Sequence, residues 1–276
     1  MSDPVDSDRN REHDLEPEWD PSAHRLPVWA TIREAVQAIA KEWKALLQAI
    51  AVPTLAFVAL DVAGEREYVE AVFPDMRSFL QDFLQDVLPW LLSIVPLTLI
   101  AVSCHRLVIL GVASLPNAWG LYWSKREGSF LGTIIVIYFV SFLPLLPLVL
   151  LIQAVPLFTS TLDEWLLRGI LFPLTLYVIA RLSLDLPATA IGQGLTVWDR
   201  WRLSRSNGWR LALVLSPAAL AWVLSDLLLN ESLVPSGITR HVLAAFTVVL
   251  LWVIGIASLS KAFCWFTGEI EAKSPS

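Results

Sequence analysis

Six apolar stretches, joined by connections that are alternately rich and poor in basic residues, constrain this chain more than any other feature of its sequence. The stretches fall at 45–62, 87–104, 130–152, 165–184, 211–229 and 242–260. Each is close to the roughly 20 residues a helix needs to cross ~30 Å of hydrocarbon. If all six cross, sixteen of the twenty Lys and Arg residues share one side: Arg9, Arg11, Arg25, Arg33, Lys41, Lys44, Arg106, Lys125, Arg126, Arg181, Arg200, Arg202, Arg205, Arg210, Lys261 and Lys273. Only Arg66, Arg77, Arg168 and Arg240 face the other, among acids such as Glu65, Glu67, Glu70, Asp82, Asp163 and Glu231. The fourth stretch is the weakest, flanked closely by Arg168 and Arg181. Removing it would carry Arg200 to Arg210 onto the acidic side, against the tendency of basic loops to stay in the cytoplasm. The expected fold is all-α: a polytopic membrane bundle of six transmembrane helices with both ends on the basic side.

Composition agrees. Hydrophobic residues make up 55% of the chain and charged ones 17%, against about a quarter charged in a typical soluble domain. Four regions are expected: an acidic cytoplasmic tail over 1–27, disordered because its eight carboxylates and four prolines leave little surface to bury; an amphipathic interfacial helix over 28–44; the six-helix domain over 45–263; and a short cytoplasmic tail over 264–276. The interfacial helix rests on Ile32, Val36, Ile39 and Trp43 at helical spacing. An exterior apolar stripe running from Val69 to Val87 reads as a second interfacial or partner-facing helix. Prolines inside the stretches, Pro53, Pro96 and Pro217 among them, predict kinks that neighbouring helices tolerate.

Spacing also suggests repetition. Lys44, Arg126 and Arg210 sit at the entries of outgoing stretches 82 and 84 residues apart, and Arg106, Arg181 and Lys261 at the exits of returning ones, 75 and 80 apart. Three repeated hairpins would produce this. So would any six-span chain with basic connections on one side.

The connection before the fifth stretch combines Ile191, Leu195, Trp198 and Trp201 at helical spacing with Arg200, Arg202 and Arg205, and leads into Trp209-Arg210. Tryptophan favours the headgroup layer and arginine pairs with phosphate. Candidate lipid-phosphate contacts are therefore Arg106, Lys125, Arg126, Arg181, Arg200, Arg202, Arg205 and Arg210, with Trp43, Trp198, Trp201 and Trp209 as interfacial anchors. The plainer alternative is charge that sets topology and binds no specific ligand.

Four runs carry a resemblance: Ala101-Val-Ser-Cys-His-Arg-Leu-Val-Ile-Leu-Gly111, Lys125-Arg126-Glu127, Ala180-Arg-Leu-Ser-Leu-Asp-Leu-Pro-Ala-Thr-Ala-Ile-Gly192 and Trp201-Arg-Leu-Ser-Arg-Ser-Asn-Gly-Trp-Arg210. They resemble an uncharacterised family of bacterial six-span inner-membrane proteins. More distantly, they are similar to the membrane domain attached to some bacterial glycerophosphoryl diester phosphodiesterases. The likeness implies a bacterial inner-membrane location with both termini cytoplasmic. It carries no activity over, since this chain lacks the phosphodiesterases' soluble catalytic barrel.

Chemistry is sparse. His105 adjoins Cys104, but Cys264 is the only other cysteine, and a zinc site takes three or four protein ligands. The stretches hold no ionisable residue near their centres, where carriers place coupling groups; Gln48, Ser93, Ser141 and Ser216 are their most polar interior residues. The expected function is a non-enzymatic scaffold or accessory subunit that contacts phospholipid and other membrane proteins, with no cofactor and no nucleic-acid partner. A transporter of lipid or another apolar solute is the competing reading, and a membrane-embedded enzyme is third.

Overall fold

A computed structural model describes residues 25–63, 88–115, 122–143, 146–147, 172–194, 196–229 and 238–268. The expected exterior stripe, and parts of the third and fourth apolar stretches, lie outside them. Among the described residues every regular element is helical: α1 (Val28–Lys41), α2 (Trp43–Ala63), α3 (Leu88–Leu110), a 3-10 turn (Val112–Ser114), α4 (Lys125–Phe142), α5 (Phe172–Leu182), α6 (Asp185–Ala190), α7 (Val197–Leu203), α8 (Gly208–Val214), α9 (Ser216–Leu229) and α10 (Ile238–Phe266).

Three segments are long and apolar enough to cross a membrane: Trp43–Leu60, Leu91–Leu110 and Thr239–Phe266. A fourth forms if α8 and α9 count as one span bent by 48°, with Pro217 just past the break and unable to supply an N–H to a continuous helix. These helices carry exposed Leu55, Leu220, Phe246 and Leu250, and α4 carries exposed Phe139. So much contiguous apolar surface requires a nonaqueous surrounding. Serine and threonine fit inside such helices because their hydroxyls bond back one turn: Thr98 to Ile94 O at 2.8 Å, Ser258 to Ile254 O at 2.7 Å and Ser260 to Ile256 O at 3.0 Å.

α10 is the centre of the bundle and packs on α9, α1, α3 and α2. Its pairing with α9 is close because Gly255 faces Ala218, where a Cβ on Gly255 would stand 2.7 Å from the Ala218 Cβ. Small residues permit this approach, and packing rather than hydrophobicity drives association within a bilayer. Ala244, Ala245, Ala257 and Ala262 are likewise buried along α10.

Two helices run past the ends expected from charge. α3 continues six residues beyond 104, so His105 and Arg106 are helical, and α10 passes Lys261 to end at Phe266. Cys264 and Phe266, placed by the sequence in a terminal tail, are buried in the core. His105 lies inside the bundle. It is wholly buried, with Nδ1 2.7 Å from Ser260 Oγ. Ser260 spends its proton on Ile256 O, so Nδ1 is the donor in this pair and ties α3 to α10.

The chain enters the bundle earlier than residue 28. Leu26 is 0% exposed and belongs to the core formed by Leu184, Leu211, Phe263 and Phe266. α1 then lies across α10 and α8, with Thr31 and Ala35 inward. Trp29 and Val36, seven residues apart on α1, are exposed, as is Trp43 at the start of α2. A helix therefore stands where the interfacial one is expected, with Thr31 and Ala35 against the bundle and Trp29 and Val36 exposed.

Candidate functional site: a basic, tryptophan-bearing rim

Contacts between helix ends define one end of the bundle. Late α3 meets early α4 through His105 and Phe130, whose ring centres are 5.7 Å apart, and late α10 through Ser260. The end of α5 meets α7 and the start of α8 through Arg181 and Tyr177. The segment before α1 meets α8 through Leu26. Arg106, Lys125, Arg126, Arg181, Arg200, Arg202 and Arg210, with Trp198, Trp201 and Trp209, lie on the elements that converge here; Arg205 lies in the turn between α7 and α8, and Trp43 opens α2.

Capping boxes start two of these elements. Ser124 N–H donates to Glu127 Oε2 at 2.8 Å and Arg126 N–H to Ser124 Oγ at 3.2 Å, which opens α4 with Lys125 exposed and Arg126 half-buried. Thr196 N–H and Oγ1 donate to Asp199 Oδ2 at 3.2 and 2.6 Å, and Asp199 N–H donates back to Thr196 Oγ1, which opens α7. The Thr196 hydroxyl, then its N–H and Arg202, hold the Asp199 carboxyl below its usual value. That contribution is complete at neutral pH and is lost only as pH falls through the lowered value.

Arg181 is the unexpected member. It is 4% exposed, and its guanidinium is spent on neutral acceptors: Nε donates to Ser204 Oγ at 3.0 Å, Nη1 to Tyr177 Oη at 3.2 Å and Nη2 to Trp201 O at 2.6 Å. Trp201 O belongs to the last turn of α7, where carbonyls lack intrahelical partners, so Arg181 caps that helix from outside. The guanidinium also lies 3.5 Å from the centre of the Trp201 ring, a cation–π contact. Tyr177 in turn stacks on Trp209 with ring centres 4.6 Å apart. It fits because residue 208 is glycine; a Cβ there would stand 2.6 Å from Tyr177 Cε2. Arg181 thus pins α5, α7 and α8 together and is not open to a lipid phosphate.

Arg106 is also largely occupied. Nε donates to Ser114 O at 3.0 Å, with Nη2 on the same carbonyl, and Ser114 Oγ donates to Gly111 O at 2.7 Å. Its role is to fold the turn after α3 back onto the helix. Arg210, half-buried, gives Nη1 to Leu26 O at 3.0 Å.

The open cations are Lys125, Arg126, Arg202 and Arg205, with the Arg202 side chain 85% exposed and only a 3.9 Å contact to Asp199. Arg200 is placed on α7 by its backbone. Around them Trp198 is 81% and Trp29 83% exposed, and Trp43, Tyr122, Trp123, Trp201 and Trp209 are exposed as well. Sequence spacing carried one stripe through Ile191 and Trp201. The structure divides it: Gly192 turns with φ +84 after α6, a conformation that glycine adopts without strain, and α7 begins only at Val197. Ile191 packs on the core while Trp198 points outward; Leu195 lies outside the described residues. Among the described residues no three His, Cys, Asp or Glu side chains converge. No family model, no curated protein and no solved structure matches this chain.

Proposed function

We propose that this chain is a six-span protein of the bacterial inner membrane with cytoplasmic termini, built as three hairpins, that works as a non-enzymatic scaffold or accessory subunit. Its basic rim rests on anionic phospholipid, and its apolar flanks meet other membrane proteins. The observation that carries the reading is the pairing of exposed tryptophans with exposed Lys125, Arg202 and Arg205 at one end of an apolar-surfaced bundle. Amphipathic rings settle at headgroup depth, and guanidinium and ammonium groups beside them are positioned for phosphate. Arg181, Arg106 and Arg210 serve differently, since they build the surface from behind. Of the polar span residues, Gln48 is exposed on α2 and Ser141 is buried on α4.

The test is replacement of Arg200, Arg202 and Arg205 together with Gln. Each basic residue near an anionic surface contributes about 1 kcal/mol, so retention of phosphatidylglycerol by the purified protein should fall by up to a hundredfold, roughly, at low salt. Retention of phosphatidylcholine should not change. Equal phosphatidylglycerol retention by wild type and triple variant, read by native mass spectrometry, would leave these arginines as topology signals alone.

A further inference from the structure

The start of the chain is delivered to the rim by a main-chain clamp. Leu26 N–H donates to Asn207 Oδ1 at 2.8 Å, its carbonyl accepts from Arg210 Nη1 at 3.0 Å, and its side chain is buried. Asn207 is itself 1% exposed. Two hydrogen bonds to one residue's backbone, with its side chain in the core, fix both the position and the direction of the chain. α1 leads away on one side, so residues 1–24 depart from beside Arg210, on the element that follows α7.

Charge is distributed in a matching way. Residues 1–24 hold eight carboxylates (Asp3, Asp6, Asp8, Glu12, Asp14, Glu16, Glu18 and Asp20) against Arg9 and Arg11. That excess of six equals the net charge of the whole protein, −6; the remaining residues balance at eighteen acids and eighteen bases. At the rim, Glu127 is consumed by its capping box and Asp199 by Thr196 and a long contact to Arg202. Arg202 and Arg205 therefore face solvent in excess of the local carboxylates.

We propose that residues 1–24 are the tethered ligand of this rim: the acidic segment lies on Arg202 and Arg205, and anionic phospholipid must displace it. The inference rests on the reading of the rim as a lipid surface. A flexible polypeptide of 24 residues has a root-mean-square span of roughly 25–30 Å. That is two to three helix diameters, enough to reach all of α7 from Leu26. Individual exposed ion pairs are weak, but tethering supplies an effective concentration on the order of millimolar. The same acidic segment is repelled by an anionic bilayer, so lipid and tail exclude one another.

Two readouts on the full-length protein test this. The first is the distance between spin labels at Ser7→Cys and Ser206→Cys, the native Cys104 and Cys264 being buried. The second is phosphatidylglycerol retention. The label distance should be short at about 0.02 M salt and should lengthen at about 0.5 M salt, where screening is nearly complete. It should also lengthen on addition of phosphatidylglycerol but not phosphatidylcholine, and when the eight acids are changed to Asn and Gln. The neutralised variant should retain about three- to tenfold more phosphatidylglycerol at low salt. A distance unchanged by neutralisation and by salt overturns the docking. If the arginine triple variant loses lipid while tail neutralisation leaves retention unchanged, the rim binds lipid and the proposed competition is wrong. If the triple variant keeps its lipid yet lengthens the label distance, the tail docks on the rim and the lipid reading is what fails.

Discussion

Changing Arg181 to Met should destabilise the folded protein by about 3–5 kcal/mol, the cost typical of removing one member of a buried charged network. The substituted chain keeps Ser204 Oγ, Tyr177 Oη and Trp201 O in place without their donor, and each buried polar group left unpaired costs roughly 1–3 kcal/mol. Loss of the guanidinium also removes the plate under the Trp201 ring. Lysine should not rescue, because an ammonium cannot span three acceptors held in the plane of a guanidinium fork. The effect is regional: α7 loses its link to α5, so trypsin should cut at Arg200, Arg202 and Arg205 much faster in the variant than in wild type. Thermal unfolding in detergent gives the global figure and limited proteolysis the regional one. A variant that loses bound lipid while keeping its melting temperature and its resistance to trypsin would make Arg181 a ligand contact rather than a strut.

The second large effect is expected at Gly255. An added Cβ meets the Ala218 Cβ at 2.7 Å and the Ala218 backbone N at 3.1 Å, and α9 with α10 is the most extensive helix pair among the described residues. Neither partner atom is the flexible end of a side chain, so the helices must separate. Overpacking of this kind costs about 1–3 kcal/mol, and it outweighs the ~1 kcal/mol that alanine gains over glycine in helix propensity. Gly255→Leu should cost more than Gly255→Ala. Pairing Gly255→Ala with Ala218→Gly should recover most of the loss, which would show that the effect is steric contact between these two positions. Unfolding of the four proteins in the same detergent measures the cycle. Additive losses in the double variant would mean that the helices approach elsewhere.

Much of the architecture could be read from residue type alone. The apolar stretches at 45–62, 87–104 and 242–260 correspond to α2, α3 and α10, and Val28 starts α1 as the change in composition suggested. Helix ends were less legible. A histidine or arginine in the sequence marks the edge of an apolar stretch, yet His105 spends its nitrogen on Ser260 and Arg106 reaches a carbonyl in the next turn, so α3 continues through both. Arg181 and Arg202 look alike in sequence, each opening an Arg-Leu-Ser run. One is buried and the other exposed because α7 folds its C-terminal carbonyl onto Arg181, a tertiary fact without a local signature. The division of the 191–201 stripe, by contrast, was visible: Gly192 and Gly194 stand inside it, and helical spacing counted across two glycines overstates the helix. Leu26 was hidden by its surroundings, since an acidic stretch precedes it and the Asn207 and Arg210 that hold its backbone lie more than 180 residues away.

Single cysteines introduced at Trp119, Trp198, Lys273, Glu67 and Ser236 test the central claim most directly. In intact cells, a membrane-impermeant maleimide should label 67 and 236 from outside, and should label 119, 198 and 273 only after the inner membrane is opened. Six crossings with the basic tryptophan-bearing rim in the cytoplasm require that pattern. Labelling of position 198 in intact cells would put the rim on the outer face and contradict the account.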